Sequence, residues 1–233
     1  MQRHPYDPAY NFEAGIAKWI DVQLSGILWY QGESNVHNIE HHSYLFPRFV
    51  QSWREAFKQD LPFYFVQLSS MNRPSWGHFR DSQRQLTKEL DKVFMAISYD
   101  VGDSLDVHPT DKKTVGIRLA NLALKHQYKY AFQADSPQPK TVVKKNGTIE
   151  IIFDHANQLK TTNTSQLLEL AYVLANGQIQ AISDAQILKN KLIIPSKGKE
   201  ITHIQYAYKP FSRGNLVNEA GVPVSTFSVK IDH

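Results

Sequence analysis

Gly26-Ile27-Leu28-Trp29-Tyr30-Gln31-Gly32-Glu33-Ser34-Asn35 divides into two halves of opposite character. The first is an apolar run about as long as a strand buried on both faces, and the second breaks at once into polar residues around a glycine. A strand of a parallel sheet delivers residues to a cleft at its carboxyl end in this way. A second break of the same kind, Asp103-Ser104-Leu105-Asp106-Val107-His108-Pro109, follows another apolar run at 93–99.

The segments around these two breaks alternate between strand and helix patterns. Residues 1–25 read as a loop and then a short helix carrying Phe12, Ile16, Trp19 and Ile20. After a strand at 26–31, residues 43–58 place Phe46, Phe49, Val50, Trp53 and Phe57 on one stripe, with Pro47 acceptable only in the first turn. A strand at 62–68, a charged helix at 78–90, a strand at 93–99 and a helix at 111–128 follow, the last with Thr110 as cap and Asp111 in its first turn. This order predicts a doubly wound parallel sheet with helices on both faces, over residues 1–134. From residue 135 a Pro-rich hinge, Ser136-Pro137-Gln138-Pro139, leads into short runs rich in Val, Ile, Tyr and Thr. Strands are expected at 148–153, 168–174, 186–188, 191–194 and 203–208, with hairpins at Asn146-Gly147 and Asn176-Gly177, so 135–233 reads as a small β-sandwich.

Composition narrows the function classes. The chain has 233 residues, 42% of them hydrophobic, enough for one large or two small cores. Its 26 basic and 22 acidic residues are scattered, without a basic stripe interleaved with aromatics, so neither nucleic acid nor a membrane is an expected partner. No apolar run approaches the ~18 residues of a membrane span, and the N-terminus has no secretory signal core. With no cysteine, a nucleophile must be an oxygen or a nitrogen, and no cofactor or metal is called for.

Candidate chemistry concentrates at the two polar breaks. His108 follows a buried strand and is locked by Pro109 ahead of a helix, a position suited to a rigid general base. Asp106 or Asp103 is the candidate acid on its other ring nitrogen, and in an extended segment Asp106 and His108 point to the same side. Gln31, Glu33 and Asn35 offer amide donors and a carboxylate at a strand end, the groups needed around a developing oxyanion, although a well-bonded turn explains them equally. Glu33 reads as a base in its own right or as a group orienting Gln31 or an arginine such as Arg80. Trp76, Arg80 and Gln83 form a loop-to-helix patch suited to stacking on a sugar; the competing reading is that Trp76 packs under the loop and Arg80 pairs with an acid. Ser34 imitates part of a nucleophile elbow, but Val36 stands where its final glycine belongs. His37, His41 and His42 lack an ordered metal-binding helix pattern and read as a solvated loop.

Taken together, Trp29-Tyr30-Gln31-Gly32-Glu33-Ser34-Asn35 and Asp106-Val107-His108-Pro109 resemble the hallmarks of the sialate O-acetylesterase family of SGNH hydrolases. The similarity extends through Trp53-Arg54, the 62–68 run, Trp76 to Gln83, Val115 to Ala120, and 204–208 with 215–223. It implies a partial flavodoxin-like three-layer hydrolase fold followed by a β-sandwich, and removal of acetyl esters from sialic acid or another glycan by a Ser-His mechanism. It further implies His108 as base, Gln31 at the oxyanion, Glu33 as its support and Asp106 as orienting acid, with Asn35, Trp76 and Arg80 on the substrate. The family's nucleophile lies on an earlier Gly-Gln-Ser-Asn motif, which this sequence lacks. The expectation is therefore half of an esterase, completed by a serine-bearing polypeptide or a longer parent. The alternative is a non-catalytic, self-associating glycan-binding remnant, since an apolar first strand with an unpaired edge invites a homo-oligomer.

Overall fold

Three short strands, β1 (Ile27–Trp29), β2 (Phe63–Val66) and β3 (Val93–Ala96), pair in parallel in the order β1-β2-β3. The computed structural model describes residues 4–145, 147–163 and 166–231. All four residues of β2 are buried because alternate side chains serve opposite layers. Phe63 and Phe65 share a core with Phe46, Val50 and Phe57 of α1 (Ile39–Phe57) and Leu86 of α2 (Trp76–Glu89). Tyr64 and Val66 pack with Val115, Leu119 and Leu122 of α3 (Lys112–His126). The result is helix, sheet, helix, as the alternating sequence pattern predicts. β1 is the edge strand, and its Leu28, paired with Tyr64 on the α3 side, is 61% exposed.

Two helix starts differ from expectation. α1 begins at Ile39, four residues early, because Asn38 caps it by accepting from the His41 backbone N–H at 3.3 Å. Pro47 consequently lies in the helix interior, where a proline removes one backbone bond and costs about 3 kcal/mol. The buried stripe of Phe46, Val50 and Phe57 offsets that cost. α3 is capped by Asp111 rather than Thr110: its Oδ1 accepts from the Thr114 N–H at 2.9 Å and its Oδ2 from the Thr114 hydroxyl at 2.6 Å. The short helix expected near residues 12–20 is a π turn (Phe12–Ile16) followed by a 3-10 turn (Ala17–Trp19), with no buried residue.

Past α3 the pairing becomes antiparallel. β4 (Pro139–Lys145), β5 (Thr148–Phe153), β9 (Gln186–Leu188) and β10 (Lys191–Pro195) form one sheet in the order β4-β5-β10-β9. β7 (Leu170–Leu174), β8 (Ile179–Ala181), β11 (Ile201–Tyr206) and β13 (Phe227–Lys230) form another, in the order β13-β11-β7-β8. β6 (Leu159–Thr161) pairs with β12 (Leu216–Asn218). The buried positions of β5, β10, β7, β11 and β13 meet in one core, giving the sandwich. Five of these ten strands escape sequence reading because they are short or mostly polar. Gly177, at φ +83°, turns the β7–β8 hairpin as expected, whereas Asn146 lies outside the described residues. The Pro-rich segment is not an open hinge: Ser136 is buried and donates to Pro223 O at 2.6 Å, and Pro137 O accepts from the Ser225 N–H at 3.1 Å.

Candidate active site

The chain leaves β1 through Tyr30 and Gln31 and turns at Gly32, whose φ of +147° few other residues adopt. A Cβ there would lie 2.8 Å from the ring of Phe79, so the turn is pressed directly onto α2. Glu33–Asn35 then form a 3-10 turn, and Gln31 Nε2 donates to Asn35 Oδ1 at 2.7 Å. A glutamine amide has two N–H groups, so one is held and one remains for a ligand. The partner that orients Gln31 is thus Asn35, not Glu33. Glu33 lies close to Tyr30, whose buried hydroxyl has its pKa raised first by desolvation and then by that carboxylate.

The His108 loop is tied at both ends. Arg118 of α3 donates to both carboxylate oxygens of Asp100, at 2.7 and 2.6 Å, just after β3. Arg213 donates to Gly102 O at 3.0 Å, and Asp103 Oδ1 accepts from the backbone of Leu105 at 2.8 Å and of Asp106 at 3.3 Å. The Asp111 cap closes the far end. Within the loop, Asp106 Oδ1 accepts from the His108 backbone N–H at 2.8 Å and stands 3.2 Å from His108 Nδ1. That backbone bond is the main reason the Asp106 carboxyl is held below the usual range. A carboxylate at Nδ1 selects the tautomer with its proton there, leaving Nε2 free to accept one. His108 is 83% exposed, so that nitrogen is open to a reactant. Asp103 caps the loop backbone, which leaves Asp106 as the acid facing the imidazole.

The two clusters are seated on the same apolar pad without bonding to each other. Val36, directly after Asn35, is buried with Leu68, Met71, Trp76 and Phe79, and Tyr30 and Val107 pack against that group. Lys112, at the start of α3, stands 5.2 Å over the Tyr30 ring. Gly102 abuts Ser70, where a Cβ would lie 2.5 Å from backbone atoms, so the loops after β2 and β3 are also in contact. Histidine base and amide donor therefore flank the carboxyl end of the parallel sheet.

The Trp76–Arg80 patch faces inward instead of toward a sugar. Trp76 is buried, and its indole N–H donates to Ser69 O at 2.6 Å. Arg80 is 0% exposed, and its guanidinium donates to the carbonyls of Ala207, Lys209 and Pro210 and to Thr226 Oγ1, at 2.6 to 3.0 Å. Its partners are carbonyls rather than an acid, a use that one sequence cannot reveal because the acceptors lie some 130 residues away. Gln83 is equally interior: it donates to Val66 O at 3.1 Å and accepts from the Leu68 N–H at 2.8 Å.

Ser34 is exposed within the 3-10 turn and shares no hydrogen bond with His108. His41 and His42 belong to the first turn of α1 rather than to a solvated loop, and burial between Phe46 and Phe79 pushes the His42 pKa down to about 4. Among the described residues no three His, Asp or Glu side chains gather into a metal-binding group, and no helix is long and apolar enough to cross a membrane. Sequence reasoning missed Arg118 and Arg213 as anchors of the His108 loop. A lone arginine between Ile117 and Leu119 in an apolar helix pattern was the available signal for the first; Arg213 offered none.

Comparison with known proteins converges on one group. Residues 6–125 match the model of the family described as carbohydrate esterase, sialic acid-specific acetylesterase. The sialate O-acetylesterase of Mus musculus is 29% identical over 166 residues, covering 60% of this chain and 31% of that protein. That of Homo sapiens is 32% identical over 122 residues, covering 42% of this chain and 23% of that protein. The chain thus spans less than a third of the length of these relatives. A crystal structure of a carbohydrate acetylesterase from Xanthomonas citri superposes with a TM-score of 0.82 at 26% identity, over 89% of this chain and 50% of that one.

Proposed function

Because the chain belongs to the carbohydrate esterase family of sialic acid-specific acetylesterases, we propose that it provides the base and oxyanion-binding half of a carbohydrate O-acetylesterase. The substrate is an acetyl ester on sialic acid or another glycan, and residues 1–134 form the hydrolase unit. The observation that carries this reading is the Asp106–His108 pair, its ring set 3.2 Å from the carboxylate at the carboxyl end of a parallel sheet. His108 Nε2 removes the proton from a serine hydroxyl brought by a serine-bearing polypeptide, and the serine oxygen attacks the acetyl carbonyl. The free N–H of Gln31, aligned by Asn35, donates to the resulting oxyanion. Protonated His108 returns its proton to the departing sugar oxygen, leaving an acetyl-serine. Water, deprotonated by His108, then releases acetate.

The test is acetate release from p-nitrophenyl acetate and from an O-acetylated sugar. The chain is assayed with and without a polypeptide carrying the Gly-Gln-Ser-Asn motif. Turnover that requires the complement, falls ~10³-fold or more in His108→Ala and survives in Ser34→Ala is expected. Activity of the chain by itself that Ser34→Ala abolishes overturns the assignment. The non-catalytic, self-associating reading is favoured by the exposed Leu28 on the edge strand. A concentration-dependent dimer by light scattering, with no activity in any combination, is the outcome that selects it.

A further inference from the structure

A cavity of about 690 Å³ opens on the outer face of the second antiparallel sheet, lined by none of the residues of the Gln31–His108 cleft. Its floor follows from strand register. Gln205 of β11 faces Ala171 of β7, which faces Ala181 of β8, so one cross-strand row ends in two methyl groups and leaves a depression. Ile179, 66% exposed, flanks that floor, and Pro74 and His78 at the start of α2 form the opposing wall with Tyr208.

Glu169 closes one end. Its residue holds a left-handed φ of 60°, its Oε2 is shut off from solvent, and no described residue donates to that oxygen. The nearby Arg80 guanidinium interacts with it electrostatically but spends its N–H groups on backbone carbonyls and Thr226. The carboxylate is thus kept as an anion whose charge is offset and whose need for a donor is unmet. A ligand suited to this cavity brings neutral hydroxyl or amide N–H donors for Glu169 and small apolar groups for the alanine and isoleucine floor. Its volume falls within the range of small-molecule sites, ~300–1,000 Å³.

We propose that this cavity is a second carbohydrate site, taking an acetylated sugar residue whose polar edge meets Glu169 and whose acetyl methyl rests on the Ala171–Ala181 floor. The choice of ligand rests on the acetylated-glycan reading above; the existence of the cavity does not. The site holds a glycan away from the hydrolytic cleft, and no covalent step is assigned to it.

The experiment is saturation-transfer NMR and calorimetric titration of the purified chain with di-N-acetylchitobiose, with cellobiose as the unacetylated control. Binding of the acetylated disaccharide is expected, at least tenfold tighter than cellobiose. Ala181→Trp, which fills the floor from an edge strand, is expected to weaken it tenfold or more, as is Glu169→Gln, while His108→Ala leaves it unchanged. Absence of binding, or binding indifferent to Ala181→Trp in a folded variant, overturns the proposal. Binding lost in His108→Ala but retained in Ala181→Trp also overturns it, by placing the sugar in the main cleft, and leaves the esterase reading standing. Neither probe carries a cleavable ester, so failure of hydrolysis does not affect the result.

Discussion

Replacing Arg80 by methionine keeps the volume of the side chain and removes its five N–H donors. The guanidinium is fully enclosed and reaches four oxygens, of which Lys209 O, at 2.6 Å, is the shortest contact. Hydrogen bonds to a buried charge are each worth about 1.5–3 kcal/mol, while removal of the ion recovers part of its desolvation cost. That desolvation is visible in the Arg80 pKa, which burial brings down to about 10. Ala207 O and Pro210 O keep second partners, Thr226 Oγ1 and the Met71 N–H, so the orphaned set is smaller than the contact list suggests. A net loss of about 3–5 kcal/mol is expected for Arg80→Met. For a chain of this size that corresponds to a fall in Tm of roughly 6–20 °C. Arg80→Lys, with one point charge for a fork, falls between. Urea titration by circular dichroism measures the difference. An Arg80→Met variant within about 1 kcal/mol of the parent refutes the reasoning. So does an Arg80→Lys variant of unchanged stability with weakened sugar binding, which returns Arg80 to the ligand.

Gly32→Ala forces a side chain into the ring of Phe79 at a φ of +147°, and about 1–3 kcal/mol of destabilisation is expected. Complemented esterase activity should fall further than stability does, since the same turn carries Gln31 and Asn35; kcat and denaturant midpoint measured together check this. His42 is neutral in the fold, with its pKa lowered to about 4 by burial, while the unfolded chain takes up that proton near pH 6.5. Its contribution is therefore whole above about pH 6.5 and is lost as the pH falls toward 4. The urea midpoint of His42→Leu should drop less than the parent's between pH 7 and 4.5, and parallel curves contradict the assignment. Pro47→Ala restores a missing helix bond and should raise stability by about 1–3 kcal/mol, read from the thermal midpoint.

The parallel layer is legible in the sequence because each strand there is apolar on both faces and each helix carries its own stripe, as at Phe46, Val50 and Phe57. His108 with Asp106, and Gln31 with Asn35, are legible because each pair lies within four residues of chain. What escapes is whatever depends on distant partners. Arg80, Asp81, Gln83 and Arg84 look like the solvent face of a charged helix, yet all are buried. Their acceptors include carbonyls of a strand region far along the chain, and no local pattern announces that a polar face is an interior one. The start of α1 was misplaced for a smaller reason: Pro47 drew the boundary toward itself, and the capping power of Asn38 outweighed it.

The burial of α2 also sets an order of events during synthesis. Gln67 Oε1 accepts from the Thr226 N–H at a separation of 159 residues, Arg80 reaches Thr226 across 146, and Gly77 lies against the Tyr208 carbonyl so closely that a Cβ would sit 1.6 Å from it. None of these partners exists while residues 27–126 emerge from the ribosome. The parallel layer must wait, with several hydrophilic side chains of its central helix still hydrated, until the segment through Thr226 has been made. A nascent chain arrested before that point should remain protease-sensitive along α2 even though β1, β2 and β3 are already outside the exit tunnel.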